Sequence, residues 1–114
     1  MNRQTIEVQP EHLAIVCAIL RKHVPHYDVR AFGSRVQGRA RRYSDLDLVI
    51  MTDEPLALDV LAGLAEDFTD SDLPWKVDIV DWATTDAGFR AIIARDSVLI
   101  QRGIQQCQEA KGAG

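Results

Sequence analysis

Apolar residues along this chain follow two periods. From Pro10-Glu11 onward, Leu13, Val16, Cys17, Leu20 and Val24 recur at i, i+3, i+4 and i+7, which predicts an amphipathic helix stopped by Pro25. A short strand is expected from Val29 to Phe32, delivering the chain to Gly33. Leu46, Leu48 and Ile50 then alternate with Asp45, Asp47 and Val49, so a second strand runs from Leu46 to Met51. Asp53-Glu54-Pro55 signals a turn and a helix start, and Leu58, Leu61, Leu64, Ala65 and Phe68 define a second amphipathic helix. After Pro74, Val77 and Ile79 alternate with Lys76, Asp78 and Val80 in a third strand ending at Asp81. Thr84-Thr85-Asp86 offers N-caps for a helix using Phe89, Ile92 and Ile93, and Ser97 to Ile100 reads as a last edge strand.

The order helix, strand, strand, helix, strand, helix, strand is that of a small α/β (α+β) domain with a sheet of about four strands. A helix separates the second and third strands, so a crossover is expected between them. Residues 1–9 read as a loose N-terminal lead-in, 10–103 as the domain and 104–114 as a flexible polar tail. At 114 residues there is room for one hydrophobic core and no second lobe.

Charge changes this picture locally. The net charge of −4 gives general nucleic-acid binding no global support, and none is expected. Yet Arg30, Arg35, Arg39, Arg41 and Arg42 crowd around the Gly33-Ser34 turn, beside a pair of carboxylates, an arrangement suited to a polyanion such as a triphosphate. Cys17 and Cys107 make neither a disulfide framework nor a metal-ligand spacing. Neither a leader sequence nor an apolar run of membrane-spanning length is expected, which places the chain in the cytoplasm.

The carboxylates carry the chemistry. Period two sets Asp45 and Asp47 on one strand face, where two ionised acids repel unless a cation sits between them. Hard Mg²⁺ takes oxygen ligands and shares its shell with substrate phosphates. A third acid is wanted for a pair of such ions, and Asp78 is the best candidate because it points away from Val77 and Ile79; Asp81 is the weaker alternative, on the opposite face. Asp78 could also take the proton of an attacking hydroxyl. Gly33 permits close backbone approach, and Ser34 supplies a hydroxyl and an N–H to phosphate, capping a short helix that runs to about Gly38. Ser44 orients the strand start, and Tyr43 could line a nucleotide pocket. His12, His23 and His26 read as surface or capping residues, Trp75 and Trp82 as packing residues, and Glu66, Asp67, Asp70 and Asp72 as a solvated face and loop.

The run GSRVQGRARRYSDLDLVI, with VDIVD beyond it, resembles the polymerase-β-like nucleotidyltransferase superfamily, and within it the minimal nucleotidyltransferases. Gly33, Ser34, Asp45 and Asp47 match the family's G-S, ten residues, D-x-D pattern without a gap, Asp78 matches its third carboxylate, and Gln37 stands where many relatives carry arginine. The resemblance implies a mixed sheet flanked by helices, metal ligation by Asp45, Asp47 and Asp78, and two Mg²⁺ ions. It also implies ATP as donor, held by Gly33, Ser34, Arg35, Gly38 and Ser44. It further implies an antitoxin that transfers AMP to a tyrosine of a helical HEPN-domain RNase toxin, its hetero-oligomeric partner. Two readings stand beside that one. The first is a nucleotidyltransferase acting on a small molecule such as an aminoglycoside; the second is a non-catalytic module that neutralises its partner by binding.

Overall fold

A computed structural model of the chain describes residues 6–36, 38 and 44–104. The elements follow the predicted order: α1 (Pro10–His23), β1 (Val29–Phe32), β2 (Leu46–Ile50), α2 (Leu58–Thr69), β3 (Val77–Asp81), α3 (Ala87–Arg95) and β4 (Val98–Gln101). A single 3₁₀ turn, Trp82–Thr84, joins β3 to α3 and was not expected. Pro10 opens α1 with φ already suited to a helix, and Arg21, Lys22 and His23 close it where the helix dipole favours cations. Of the three cap candidates before α3, Asp86 serves: its Oδ1 accepts from the Phe89 N–H at 2.8 Å.

The sheet is mixed, in the order β3-β2-β1-β4. β1 is antiparallel to both β2 and β4, while β3 lies parallel to β2, as the α2 crossover requires. The alternation seen in the sequence sorts the two faces. Val29, Ala31, Leu46, Leu48 and Ile50 turn toward Val16 and Leu20 of α1, Val24 just after it, and Leu64 and Phe68 of α2, forming the main core. On the opposite face Val49 and Ile93 are buried outside that core, and Phe32 meets Phe89 of α3 edge to face with ring centroids 5.1 Å apart. Asp47 shares this second face, directly across from Phe32 in the register.

Several side chains do more than their sequence positions suggested. His23 Nε2 lies 2.7 Å from Asp67 Oδ2, with Lys22 Nζ at 3.1 Å, so α1 and α2 are tied through an acid expected only to face solvent. His12 is half-buried with its ring edge against Trp75, rather than on the surface. Asp81 is buried and accepts from the Leu56 N–H at 2.8 Å and the Thr84 hydroxyl at 2.6 Å, holding the segment that leads into α2. Residues 6–9 are also tied down, since Ile6 and Val8 pack on the core and the Glu7 N–H donates to the Arg35 carbonyl at 2.7 Å.

Candidate active site

The register of the parallel pair decides the geometry. Asp47 of β2 and Asp78 of β3 are direct neighbours across the ladder, and adjacent strands lie about 4.8 Å apart. Asp45 precedes β2 by one residue, and the following Leu46 N–H is held by the Lys76 carbonyl at 2.9 Å, so β3 also fixes where the D-x-D run begins. Asp45 and Asp78 are exposed, while Asp47 is half-buried.

That difference in burial shows in the chemistry. Burial first, then the charges of Asp78 and Asp45, then a hydrogen bond from its own protonated form to Asp78 push the Asp47 carboxyl up to about 6. Three carboxylates therefore feel one another. Their donor set is all oxygen and anionic, the chemistry that a hard divalent cation satisfies, and their mutual repulsion is what such a cation relieves. Among the described residues no group of three or more His, Cys, Asp or Glu side chains stands arranged to hold a metal ion, so the carboxylates suit Mg²⁺ by type and placement without forming a closed cage.

Gly33 sits against this cluster. Its φ of +85° belongs to the left-handed region, and a Cβ at this position would run into Asp47 Oδ2. Glycine is thus demanded twice, by the turn and by the carboxylate beside it. The turn itself corrects one expectation: Val36 N–H bonds to the Gly33 carbonyl at 3.1 Å and residues 34–36 form a turn, not a helix capped by Ser34. Gly38 also has positive φ, +74°. Gln37, Arg39, Arg41, Arg42 and Tyr43 lie outside the described residues, as does Cys107.

Arg35 points inward. Its Nε donates to the Ser44 carbonyl at 2.9 Å and its Nη1 to the Glu7 carbonyl at 2.7 Å, while its guanidinium lies 4.6 Å from the Trp75 ring centroid. Burial pulls it below the usual arginine value, and the nearby Glu7 and Asp45 charges oppose that. The side chain braces Ser44, and through it Asp45, against the segment before β3. Arg30, another member of the expected basic cluster, donates to Ser97 Oγ at 2.8 Å. Asp81, the alternative third acid, faces away and is spent on backbone support: burial raises its carboxyl, but the Thr84 hydroxyl and the N–H groups of Leu56 and Asp81 outweigh it and hold the group below its ordinary value.

Beside Asp45 and Asp78 a cleft of about 590 Å³ opens between the end of α2, the loop after it and the start of β3. Phe68, Leu73, Trp75 and Val77 line it together with Ala65, Thr69, Pro74 and Lys76. No sequence motif announced this feature.

Residues 17–104 match the Polymerase beta, Nucleotidyltransferase family. The chain belongs to that nucleotidyltransferase family. It is 53% identical over 96 residues, 84% of each chain, to the probable protein adenylyltransferase MntA of Haemophilus influenzae. The fold matches that of a crystallised toxin–antitoxin with AMP-PNP (TM-score 0.66, 24% identity, 89% of this chain and 81% of the other). It also matches a complex of tri-AMPylated Shewanella oneidensis HEPN toxin with MNT antitoxin (TM-score 0.61, 21% identity, 90% of this chain and 79% of the other). The mixed sheet and flanking helices are those expected of the nucleotidyltransferase fold. No helix among the described residues is long and apolar enough to cross a membrane.

Proposed function

We propose that this nucleotidyltransferase is a Mg²⁺-dependent protein adenylyltransferase that moves AMP from ATP to a tyrosine of a HEPN toxin, acting as its antitoxin in the cytoplasm where ATP is supplied. The observation that carries the reading is the alignment of Asp47 with Asp78 across the parallel ladder, with Asp45 two residues upstream and Gly33 shaped around the Asp47 carboxylate. The likeness to a protein adenylyltransferase at 53% identity supports the same reaction class.

In the reaction the acceptor oxygen attacks the α-phosphorus of ATP, the bond to the bridging oxygen of the β-phosphate breaks, and pyrophosphate departs with the electron pair. Asp45, Asp47 and Asp78 are the groups to hold two Mg²⁺ ions, which when bound neutralise phosphate charge and align the entering and leaving oxygens. Gly33 lets the triphosphate approach the backbone, and Ser34, Gly38 and Ser44 complete the nucleotide's surroundings. Arg35, bonded to the Ser44 carbonyl, contributes by keeping Asp45 in place.

ATP labelled at the α-phosphate, supplied with Mg²⁺ to the chain and its partner HEPN toxin, tests the reading. Label is expected in that protein, little in the chain alone, and none in an aminoglycoside offered instead. Label entering the small molecule and never the protein overturns the proposal.

A further inference from the structure

We propose that residues 6–9 are a working part of the active site: a strap that, through Arg35, fixes the distance between the phosphate-binding turn and Asp45. This rests on the adenylyltransferase reading above and makes Arg35 a positioning residue for transfer rather than a ligand of the triphosphate.

The strap is built on the same period of two as the strands. Ile6 and Val8 are half-buried and pack on the core, while Glu7 and Gln9 are exposed. Its far end is pinned at α1, where the Gln9 carbonyl accepts from the N–H groups of His12 and Leu13 at 3.0 and 2.9 Å. In the middle, Glu7 meets Arg35 twice. The Glu7 N–H donates to the Arg35 carbonyl at 2.7 Å, and the Glu7 carbonyl accepts from Arg35 Nη1 at 2.7 Å. The Glu7 side chain also reaches Gly38, where a Cβ would lie 3.6 Å from Glu7 Oε2.

Arg35 carries this hold to the carboxylates. Its backbone belongs to the turn after Gly33, and its Nε donates at 2.9 Å to the Ser44 carbonyl, part of the peptide that joins Ser44 to Asp45. One side chain thus spans from the turn that takes phosphate to the residue that takes metal. The planar guanidinium holds its donors at fixed angles, so the two carbonyls it serves set each other's positions. It is only 6% exposed and lies 4.6 Å from the Trp75 ring centroid, with His12 of α1 edge to face against that ring at 5.8 Å. A buried cation keeps its place only while its acceptors keep theirs. Without the Glu7 carbonyl the guanidinium is drawn toward water and releases Ser44, and the turn and Asp45 move apart. A misplacement on the order of 1 Å is enough to cost about a hundredfold in rate.

Two variants test the strap. Glu7→Pro removes the N–H that donates to Arg35, on an exposed residue outside every helix and strand. Arg35→Lys keeps the charge but cannot serve two carbonyls through a fixed fork. Transfer to the partner toxin gives kcat and KM for ATP, and NMR of the chain alone gives hydrogen exchange at the Val36 and Leu46 amides, all below the melting temperature of each variant. Both variants are expected to lose kcat by roughly tenfold or more with KM for ATP changed by less than about threefold. Val36 and Leu46 should exchange faster, while Leu64 and Phe68 of α2 stay as in wild type. Wild-type kcat in Glu7→Pro overturns the inference by making the strap a spectator, and this variant decides alone if Arg35→Lys does not fold. Wild-type kcat in Arg35→Lys overturns it too, since charge then suffices. A raised KM at unchanged kcat does the same by giving Arg35 to the phosphates. Lost kcat with unchanged amide exchange places the fault elsewhere and also overturns it. A wild-type chain that adenylylates nothing overturns the functional reading and this inference together.

Discussion

Asp47 is the residue on which the site's electrostatics converge. With its carboxyl raised to about 6 in the metal-free fold, the folded chain holds a proton more tightly than the unfolded one between about pH 4 and 6. The sign follows directly: Asp47 weakens the fold as pH rises through that window, and the full deficit is present above pH 6. Asp47→Asn removes the charge and keeps the shape. In the absence of metal the variant is expected to be more stable than wild type at pH 7.5 by about 1 kcal/mol, after allowance for solvent screening of a half-buried group. That corresponds to a melting temperature higher by about 4–8 °C, and the advantage should vanish near pH 4. Adding Mg²⁺ should raise the melting temperature of wild type and leave that of the variant nearly unmoved. An Asp47→Asn protein with wild-type melting at both pH values would mean that the three acids do not interact.

At the level of elements, β3 carries two acids with opposite tasks. Asp78 is exposed beside Asp47, whereas Asp81 faces the other way and fastens the approach to α2 through Leu56 and Thr84. Because the folded Asp81 carboxyl lies below its ordinary value, its stabilising contribution is complete at neutral pH and is lost as acid protonates it. Asp81→Ala is expected to cost roughly 1–3 kcal/mol in urea unfolding at pH 7, with the gap to wild type narrowing in acid. Nucleotide affinity should survive wherever the fold does. A loss of transfer without a loss of stability would show Asp81 to be a ligand after all.

The strand face of each acid was readable from sequence because a period of two leaves one choice once Leu46, Leu48, Val77 and Ile79 are taken as apolar markers. The spacing from Gly33-Ser34 to Asp45 was legible through the family resemblance, and the fold shows what it achieves: β1 and β2 are antiparallel, so Gly33 after one lies against Asp47 near the start of the other. Tertiary partners were not readable. Arg35 looked like a phosphate ligand among other basic residues, and only the fold reveals Glu7 and Trp75 on either side of it. His23 and Asp67 lie 44 positions apart and meet only because α1 packs on α2. The cleft has the same origin, since its walls come from a helix end, a loop and a strand start that share no local pattern.

For the whole molecule, one small sheet performs two separations. Its core face is closed by α1 and α2, and its other face is only partly covered by α3, which leaves Asp47 and Asp78 accessible at the end of the sheet nearest Gly33. On the proposed reading the toxin supplies the acceptor, and the surface that docks it lies outside the three carboxylates. Catalysis and complex formation should therefore be separable by mutation. Asp78 is the place to separate them, being exposed and adjacent to Asp47, whereas Asp81 is buried.

The most direct measurement is intact mass spectrometry of the partner toxin after incubation with Mg²⁺-ATP and either wild-type chain or Asp78→Asn, alongside size-exclusion analysis of each complex. The account predicts that the toxin gains one or more AMP units with wild type and none with Asp78→Asn, while both chains still bind it. A toxin silenced equally by both chains, and gaining mass with neither, would contradict it and leave neutralisation by binding in its place.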